Sequence, residues 1–245
     1  MSELTYLITG ANRGIGKALL EVYLSRPNHT VIAAVRNVAS STKTLSTLSV
    51  GAGSKLIVVK IDSKVDTDPS AAVAELKSKG ITKVDVLISN AGYMGPVTPL
   101  LETSTDVIRE SFEVNTIGPF NLIKAFKPLL EASSAPKFLV LTSTIGSFGE
   151  LPNYQVPFFS YGVSKAAANY LVAKLKYEVP SITAQAFNPG WLQTDMGTGA
   201  AKGVGMADAP MSIEDGVKGL VTVFDAASIE KTGTFTAFDG TNIPW

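Results

Sequence analysis

Tyr161 and Lys165 stand four residues apart in the stretch Ser160-Tyr161-Gly162-Val163-Ser164-Lys165. On a helix that spacing stacks a phenol beside an ammonium, with Cβ atoms about 5–6 Å apart. The chemistry it suggests is proton transfer. A phenol titrates near pH ~10 in water, and a fixed cation beside it favours the phenolate. Lowering a tyrosine pKa by about 3 units takes about 4 kcal/mol, more than one exposed ion pair supplies, so the positive ring of a cofactor would have to contribute. On spacing alone, the same pair also describes a solvated helix face.

A second chemical feature lies near the start of the chain. The apolar run Leu4 to Ile8 feeds into Thr9-Gly10-Ala11-Asn12-Arg13-Gly14-Ile15-Gly16 and then a helical stretch, Lys17 to Ser25. In such a strand, glycine turn and helix, Gly10 permits the tight turn, Gly14 lets backbone approach a pyrophosphate, and Gly16 lets helix and strand pack closely. The helix N-terminus offers N–H groups to the anion.

Positioning these groups requires a sheet. Short continuous apolar runs, the mark of buried parallel strands, occur at Leu4 to Ile8, Val31 to Val35, Leu56 to Ile61, Val84 to Ser89, Phe138 to Thr142, Ile182 to Phe187 and Thr234 to Phe238. Helical segments alternate with them. The expected fold is α/β: a doubly wound, mostly parallel seven-stranded Rossmann sheet with helices on both faces, in one domain spanning 1–245. Asp68-Pro69 reads as a cap and first helical residue for a helix to about Lys79, and Ser212-Ile213-Glu214-Asp215 as a capping-box-like start. Such sheets bind ligands beyond the carboxyl ends of their strands, where both chemical features fall.

Composition narrows the chemistry. The 245 residues carry 21 basic and 21 acidic side chains, with no basic run, which argues against nucleic acid or an anionic membrane surface as partner. The absence of cysteine excludes disulfides, thiolate zinc sites and cysteine nucleophiles. The single histidine, His29, reads as a loop residue, so Ser-His-Asp hydrolysis and multi-histidine metal sites are disfavoured, and no metal is expected. No run is long enough to span a bilayer and no secretory leader is evident, so the cytoplasm is the expected location and the Asn28-His29-Thr30 sequon should be unused.

With the glycine turn and the tyrosine–lysine pair in view, the chain resembles the short-chain dehydrogenase/reductase family over essentially its whole length. Further landmarks fall in order: Ile61-Asp62, Asn90-Ala91-Gly92, Asn115, Ser143 and Pro189-Gly190-Trp191-Leu192-Gln193-Thr194. Within the family, Pro-Gly-Trp-Leu-Gln-Thr-Asp-Met-Gly and the Pro244-Trp245 ending look like the subgroup of C-factor-like carbonyl reductases and fungal norsolorinic acid ketoreductases.

The resemblance implies a nicotinamide dinucleotide held by Gly10, Asn12, Arg13, Gly14, Ile15 and Gly16, by Arg36 and Asp62, by Asn90, Ala91 and Gly92, and by Pro189, Gly190, Leu192 and Thr194. Tyr161 and Lys165 would meet its ribose. NAD-preferring members usually carry an acid at the end of the second strand, whereas Val35 occupies that place here. Arg36 and Arg13 would bracket a 2′-phosphate, so the cofactor expected is NADP(H).

For carbonyl reduction, the resemblance makes Tyr161 the proton donor and Ser143 a hydrogen-bond donor to the same oxygen. Lys165 would hold the ribose and lower the Tyr161 pKa. Asn115 completes the set: Pro119, four residues on, has no N–H for its carbonyl, which leaves that oxygen free to hold a water. Thr142, Thr144 and Ser147 flank Ser143 and also carry hydroxyls. Two departures from the family pattern are Ser89, where a second asparagine is common, and a long stretch between Ser143 and Tyr161.

That stretch, Phe148 to Phe159, is dense in aromatics and prolines and is expected to wall an apolar pocket with Tyr93, Met94, Trp191 and Met196, or to pack in the core or an oligomer interface. Gly197 to Ala209, rich in glycine and alanine, reads as a mobile lid. The expectation is an NADPH-dependent reductase of a hydrophobic ketone or aldehyde. Alternatives are a dinucleotide-sensing protein without turnover, an NAD-dependent alcohol dehydrogenase, and an epimerase or dehydratase. A mean hydropathy of +0.23 fits a homo-oligomer, dimer or tetramer.

Overall fold

The computed structural model describes residues 3–245. Seven strands form one sheet in the order β3-β2-β1-β4-β5-β6-β7: β1 (Leu4–Thr9), β2 (His29–Val35), β3 (Lys55–Lys60), β4 (Val86–Ser89), β5 (Lys137–Leu141), β6 (Thr183–Asn188) and β7 (Phe235–Ala237). Every pairing is parallel, so the sheet is wholly rather than mostly so. All seven expected strands are present. The direction of winding reverses between β1 and β4, where Ile8 pairs with Ile88, and this is the place where such sheets open a ligand crevice.

Alternate residues of each strand feed opposite cores. Leu7 and Ile32 join Phe126 and Phe138 beneath α3 (Asp68–Ser78), α5 (Gly118–Glu131) and α6 (Phe159–Glu178). Their neighbours Ile8 and Val31 pack on the other face with Leu20 of α1 (Gly14–Ser25) and Phe224 of α8 (Ile213–Asp225). Burial on both faces is why the strands read as unbroken apolar runs. The remaining helices are α2 (Val38–Leu45), α4 (Thr105–Phe112) and α7 (Asp195–Gly203). No helix among the described residues is long and apolar enough to cross a membrane.

Several local expectations are corrected. The first helix starts at Gly14 rather than Lys17, with Arg13 before it. Asp68 is not the cap of its helix but its first residue, preceded by Thr67. Its carboxylate serves the neighbouring strand end instead, accepting from the Asp62 amide at 2.9 Å and pairing with Lys60 at 3.1 Å. Ser212 does cap α8, accepting from the Asp215 amide at 3.0 Å and donating to its carboxylate at 2.7 Å. His29 is no loop residue: it opens β2, buried, with its ring 5.3 Å from that of Tyr6.

Candidate active site

The glycine turn follows β1 and takes the shape its residues dictate. Gly10 and Gly14 have φ of +65° and +52°, a region that L side chains rarely occupy. Gly16 packs so closely that a Cβ there would lie 2.4 Å from the Gly10 carbonyl oxygen. The turn is tied to β4 by Asn90, whose Nδ2 donates to the Thr9 carbonyl at 2.7 Å, while the Asn90 and Ala91 amides donate to Thr9 Oγ1 at 3.0 Å. No side chain caps the start of α1. Unmet N–H groups at a helix start, beside backbone without side chains, form the cradle a pyrophosphate needs.

From this turn a cleft of about 960 Å³ runs along the carboxyl ends of the strands. Its wall includes Gly10, Asn12, Arg13, Gly14, Ile15, Arg36, Asp62, Asn90, Ala91, Gly92, Tyr161, Lys165, Pro189 and Thr194. Of the other expected residues, Gly16, Gly190, Leu192, Asn115 and Ser143 do not contribute to the wall. Val35, the place searched for a missing acid, is buried in the core, and Arg36 is the residue that reaches the cleft. Asp62 lines the cleft with one carboxylate oxygen accepting from the Lys64 amide at 3.0 Å. A dinucleotide fits this donor set: free amides for the phosphates, a carboxylate for the adenosine end and cations beside it.

At the other end lies the candidate proton-transfer pair. Tyr161 and Lys165 sit in the first two turns of α6 as their spacing requires, the ammonium 5.6 Å from the centre of the phenol ring. Lys165 is 4% exposed and donates to the Leu141 carbonyl at 2.8 Å. Burial lowers its pKa to about 8. Burial also pushes the Tyr161 phenol up to about 12, against a smaller downward pull from the Ser143 hydroxyl. The expected lowering of Tyr161 by Lys165 is therefore not achieved by the protein alone. Of the four candidate hydroxyls, Ser143, whose Oγ accepts from the Ile145 amide at 3.3 Å, is the one that draws the phenol's pKa down; Thr142 is buried in the cleft wall, and Ser147 donates to the Pro244 carbonyl at 2.6 Å.

Asn115 occupies not a regular α-helix but one turn of π-helix, Glu113–Ile117, between α4 and α5. The Gly118 amide reaches back five residues to the Glu113 carbonyl, and Pro119 supplies no amide of its own. The Asn115 side chain is fully engaged: Oδ1 accepts from the Tyr93 amide at 2.8 Å, and Nδ2 donates to the Tyr93 carbonyl at 2.7 Å and to Ser164 Oγ at 2.9 Å. Ser164 in turn donates to the Tyr161 carbonyl at 2.7 Å. Asn115 thus clips the Asn90-Ala91-Gly92 loop to the helix of Tyr161. Ser164, which spacing gave no reason to single out, joins Asn115 to the helix of Tyr161.

The pocket walls differ from expectation. Tyr93 and Met196 line the cleft with Val114 and Ile213, but Met94, Trp191 and every residue from Phe148 to Phe159 stand outside it. Phe158 packs edge-on to Trp191 with ring centres 6.3 Å apart, whereas Phe148, Leu151 and Tyr154 point to solvent. The expected lid is partly helical, as α7, and it is anchored: Trp191 Nε1 donates to the Gly197 carbonyl at 2.8 Å and Gln193 Nε2 to that of Ala209 at 3.0 Å.

Comparison with known proteins agrees with this arrangement. Residues 5–200 match the model of the family described as short chain dehydrogenase. The chain is 40% identical over 245 residues to the short-chain dehydrogenase RED3 of Pyricularia oryzae, covering 98% of each. It is also 40% identical to the norsolorinic acid ketoreductase nor1 of Dothistroma septosporum, over 98% of this chain and 92% of that one. The structure of an NADPH-bound carbonyl reductase from chicken fatty liver superposes with a TM-score of 0.86 at 26% identity, covering the whole of both chains. The chain belongs to the short-chain dehydrogenase family, in the subgroup of the fungal norsolorinic acid ketoreductases.

Proposed function

We propose that this protein is an NADPH-dependent reductase of a hydrophobic ketone or aldehyde, aromatic or polyketide-like, acting in the cytoplasm as a homo-oligomer. The observation that carries the proposal is the gathering of Tyr161 and Lys165 at one end of a cleft whose other end holds the glycine turn and Arg36, with Ser143 behind the cleft wall close enough to act on the phenol. When bound, the dinucleotide supplies the hydride. Tyr161 gives its proton to the carbonyl oxygen as negative charge develops there, and a phenol kept protonated by burial is ready to donate. Ser143 donates a second hydrogen bond to that oxygen. Lys165, buried with its ammonium 5.6 Å from the centre of the phenol ring, would hold the nicotinamide ribose and favour the phenolate that remains when the proton leaves.

The reading of the substrate as hydrophobic is supported by the apolar side chains of Tyr93, Val114, Met196 and Ile213 in the cleft wall, and by relatives named norsolorinic acid ketoreductases. Arg36 supports the choice of NADP(H), since it stands exposed in the cleft wall with no carboxylate paired to it among the described residues. Exposed aromatic side chains on α5 and α6, Phe120, Tyr170 and Tyr177, support self-association. The test is consumption of NADPH with a panel of aliphatic, aromatic and polycyclic ketones, with NADH as control. Turnover rising with the apolar size of the ketone and much slower with NADH is expected; binding of either dinucleotide without turnover on any ketone would make the protein a sensor instead.

A further inference from the structure

Helix α7 borders the cleft along its length. Its cap, Thr194, abuts the glycine turn, since a Cβ built on Gly14 would lie 3.3 Å from Thr194 Cγ2. Its last residue, Gly203, packs on Val97, in the loop that follows Asn90-Ala91-Gly92. One face of the helix is buried, with Ala200 and Ala201 no more than 5% exposed. The opposite face lines the cleft, where Met196, Gly199 and Lys202 follow one another at intervals of three residues and so form a stripe. Gly199 stands about 7–8 Å along the helix from Thr194, away from the phosphate cradle.

Three glycines lie in α7, and packing accounts for two of them. A Cβ on Gly197 would lie 1.9 Å from the Leu192 carbonyl oxygen, and one on Gly203 would lie 2.5 Å from Val97 Cγ2, so neither position admits a side chain. At Gly199 a Cβ would meet nothing within 4 Å, and the backbone there is not in the left-handed region. Glycine inside a helix weakens it relative to alanine, so the fold by itself favours a larger residue at this position. What a side chain on Gly199 would fill is the cleft. We propose that Gly199 is a specificity-determining residue: the gap it leaves between Met196 and Lys202 admits broad, flat ketones of two or three fused rings. The proposal rests on the reading of the cleft as that of a ketone reductase and narrows its substrate class.

The test compares kcat/KM with NADPH for acetophenone, 2-acetylnaphthalene and 2-acetylanthracene, which present the same carbonyl on one, two and three rings. The wild type, Gly199→Ala and Gly199→Leu are measured, each with a melting curve of the apoprotein and a fluorescence titration with NADPH. A leucine side chain in the gap should crowd the larger rings, so the ratio of kcat/KM for acetophenone to that for 2-acetylanthracene should rise about tenfold or more in Gly199→Leu. Gly199→Ala should move the ratio the same way by less, with 2-acetylnaphthalene between the extremes. Because no packing is disturbed, Gly199→Ala should melt higher than the wild type, by about 2–4 °C. Affinity for NADPH should stay within a small factor in both variants.

The proposal is overturned if both variants keep the wild-type ratio. That includes an equal fall in kcat for all three ketones, which would make Gly199 a source of flexibility in α7 instead of a gap for the substrate. Loss of NADPH affinity in step with loss of turnover also overturns it, because the gap would then belong to the dinucleotide. A Gly199→Ala variant that melts below the wild type would show that the fold requires the glycine. In each of these outcomes the wild type still reduces ketones and the proposed function stands, whereas a wild type that binds NADPH and reduces none of the three overturns that function together with this inference.

Discussion

At the end of the cleft where Lys165, Asn115 and Ser164 gather, the polar side chains are no more than 4% exposed and each is bonded to a named partner, whereas Arg13, Arg36 and Asp195 at the other end stand in solvent. The two ends use charge differently for that reason. In a buried setting each group alters its neighbours' proton affinity strongly, because little water screens it. In an exposed setting charges select and hold a ligand weakly, and salt erodes what they do. Substitutions at the buried end should therefore act on turnover and folding, and those at the exposed end on affinity and release.

The largest effect is expected at Tyr161. Tyr161→Phe removes the proposed proton donor and keeps the ring, so turnover should fall by about 10²–10⁴ while NADPH affinity stays within a small factor. Near-normal turnover would break the assignment of chemistry to this end of the cleft.

Next comes the proton affinity of Lys165. In the unfolded chain the ammonium titrates near ~10.4, and in the folded apoprotein burial lowers this to about 8. Between those values the unfolded chain binds a proton that the native state does not, so stability rises as pH climbs from about 8 to about 10. Below pH 8 both states are charged and the burial cost is felt in full. Above about 10 the sign reverses through Tyr161, whose phenol keeps its proton in the folded state up to about 12. Urea midpoints of the apoprotein at neutral and alkaline pH should show the rise in the wild type and not in Lys165→Met, a difference of about 3 kcal/mol at most. Parallel curves would mean that water reaches the ammonium.

The exposed end offers a smaller and more selective effect. A hydrogen bond from Arg36 to a phosphate contributes about 1.5–3 kcal/mol, so Arg36→Ala should weaken NADPH by roughly ten- to a hundredfold and leave NADH almost unchanged. Val35→Asp sharpens the comparison. Read from sequence, an acid there would turn preference toward NADH, but Val35 is 1% exposed in the core, so the carboxylate would be buried and the protein destabilised. Fluorescence titration with both dinucleotides, beside a melting curve, separates a switched preference from a damaged fold.

What was legible in the sequence follows the same division. The strands were visible because burial on both faces leaves a continuous apolar signature, and the tyrosine–lysine pair because helical spacing is local. Strand ends were less so: β4 begins at Val86 rather than Val84, since the Val84 amide bonds the Leu129 carbonyl and the Asp85 carboxylate takes the Thr5 amide. The face of Val35 against Arg36 is a one-residue register question that apolarity alone does not answer. The Arg13–Asp195 and Asn115–Ser164 contacts join residues 182 and 49 positions apart, and nothing in local spacing announces them. The aromatics of Phe148 to Phe159 misled because side chains dense in apolar surface suggest a pocket wherever they lie near a site, while here they turn outward or pack on Trp191.

Ser164 gives the finest test of the comparison. Its hydroxyl accepts from Asn115 Nδ2 and donates to the Tyr161 carbonyl, so it joins the π-helical turn to the helix that carries Tyr161, the proposed proton donor. Ser164→Ala deletes two neutral hydrogen bonds without touching any charge, and the net loss should be about 1 kcal/mol, or roughly 2–4 °C in melting temperature for a domain of this size. Asn115 Nδ2 keeps its bond to the Tyr93 carbonyl, which limits the desolvation penalty. If the buried end works by fixed geometry, kcat should drop several-fold with KM for NADPH unchanged, because the alignment of Tyr161 is loosened while the phosphate end is untouched. Ser164→Thr, which keeps the hydroxyl, should recover part of the rate. A Ser164→Ala variant that loses stability yet turns over like the wild type would show that this bond supports the fold and not the alignment of the acid.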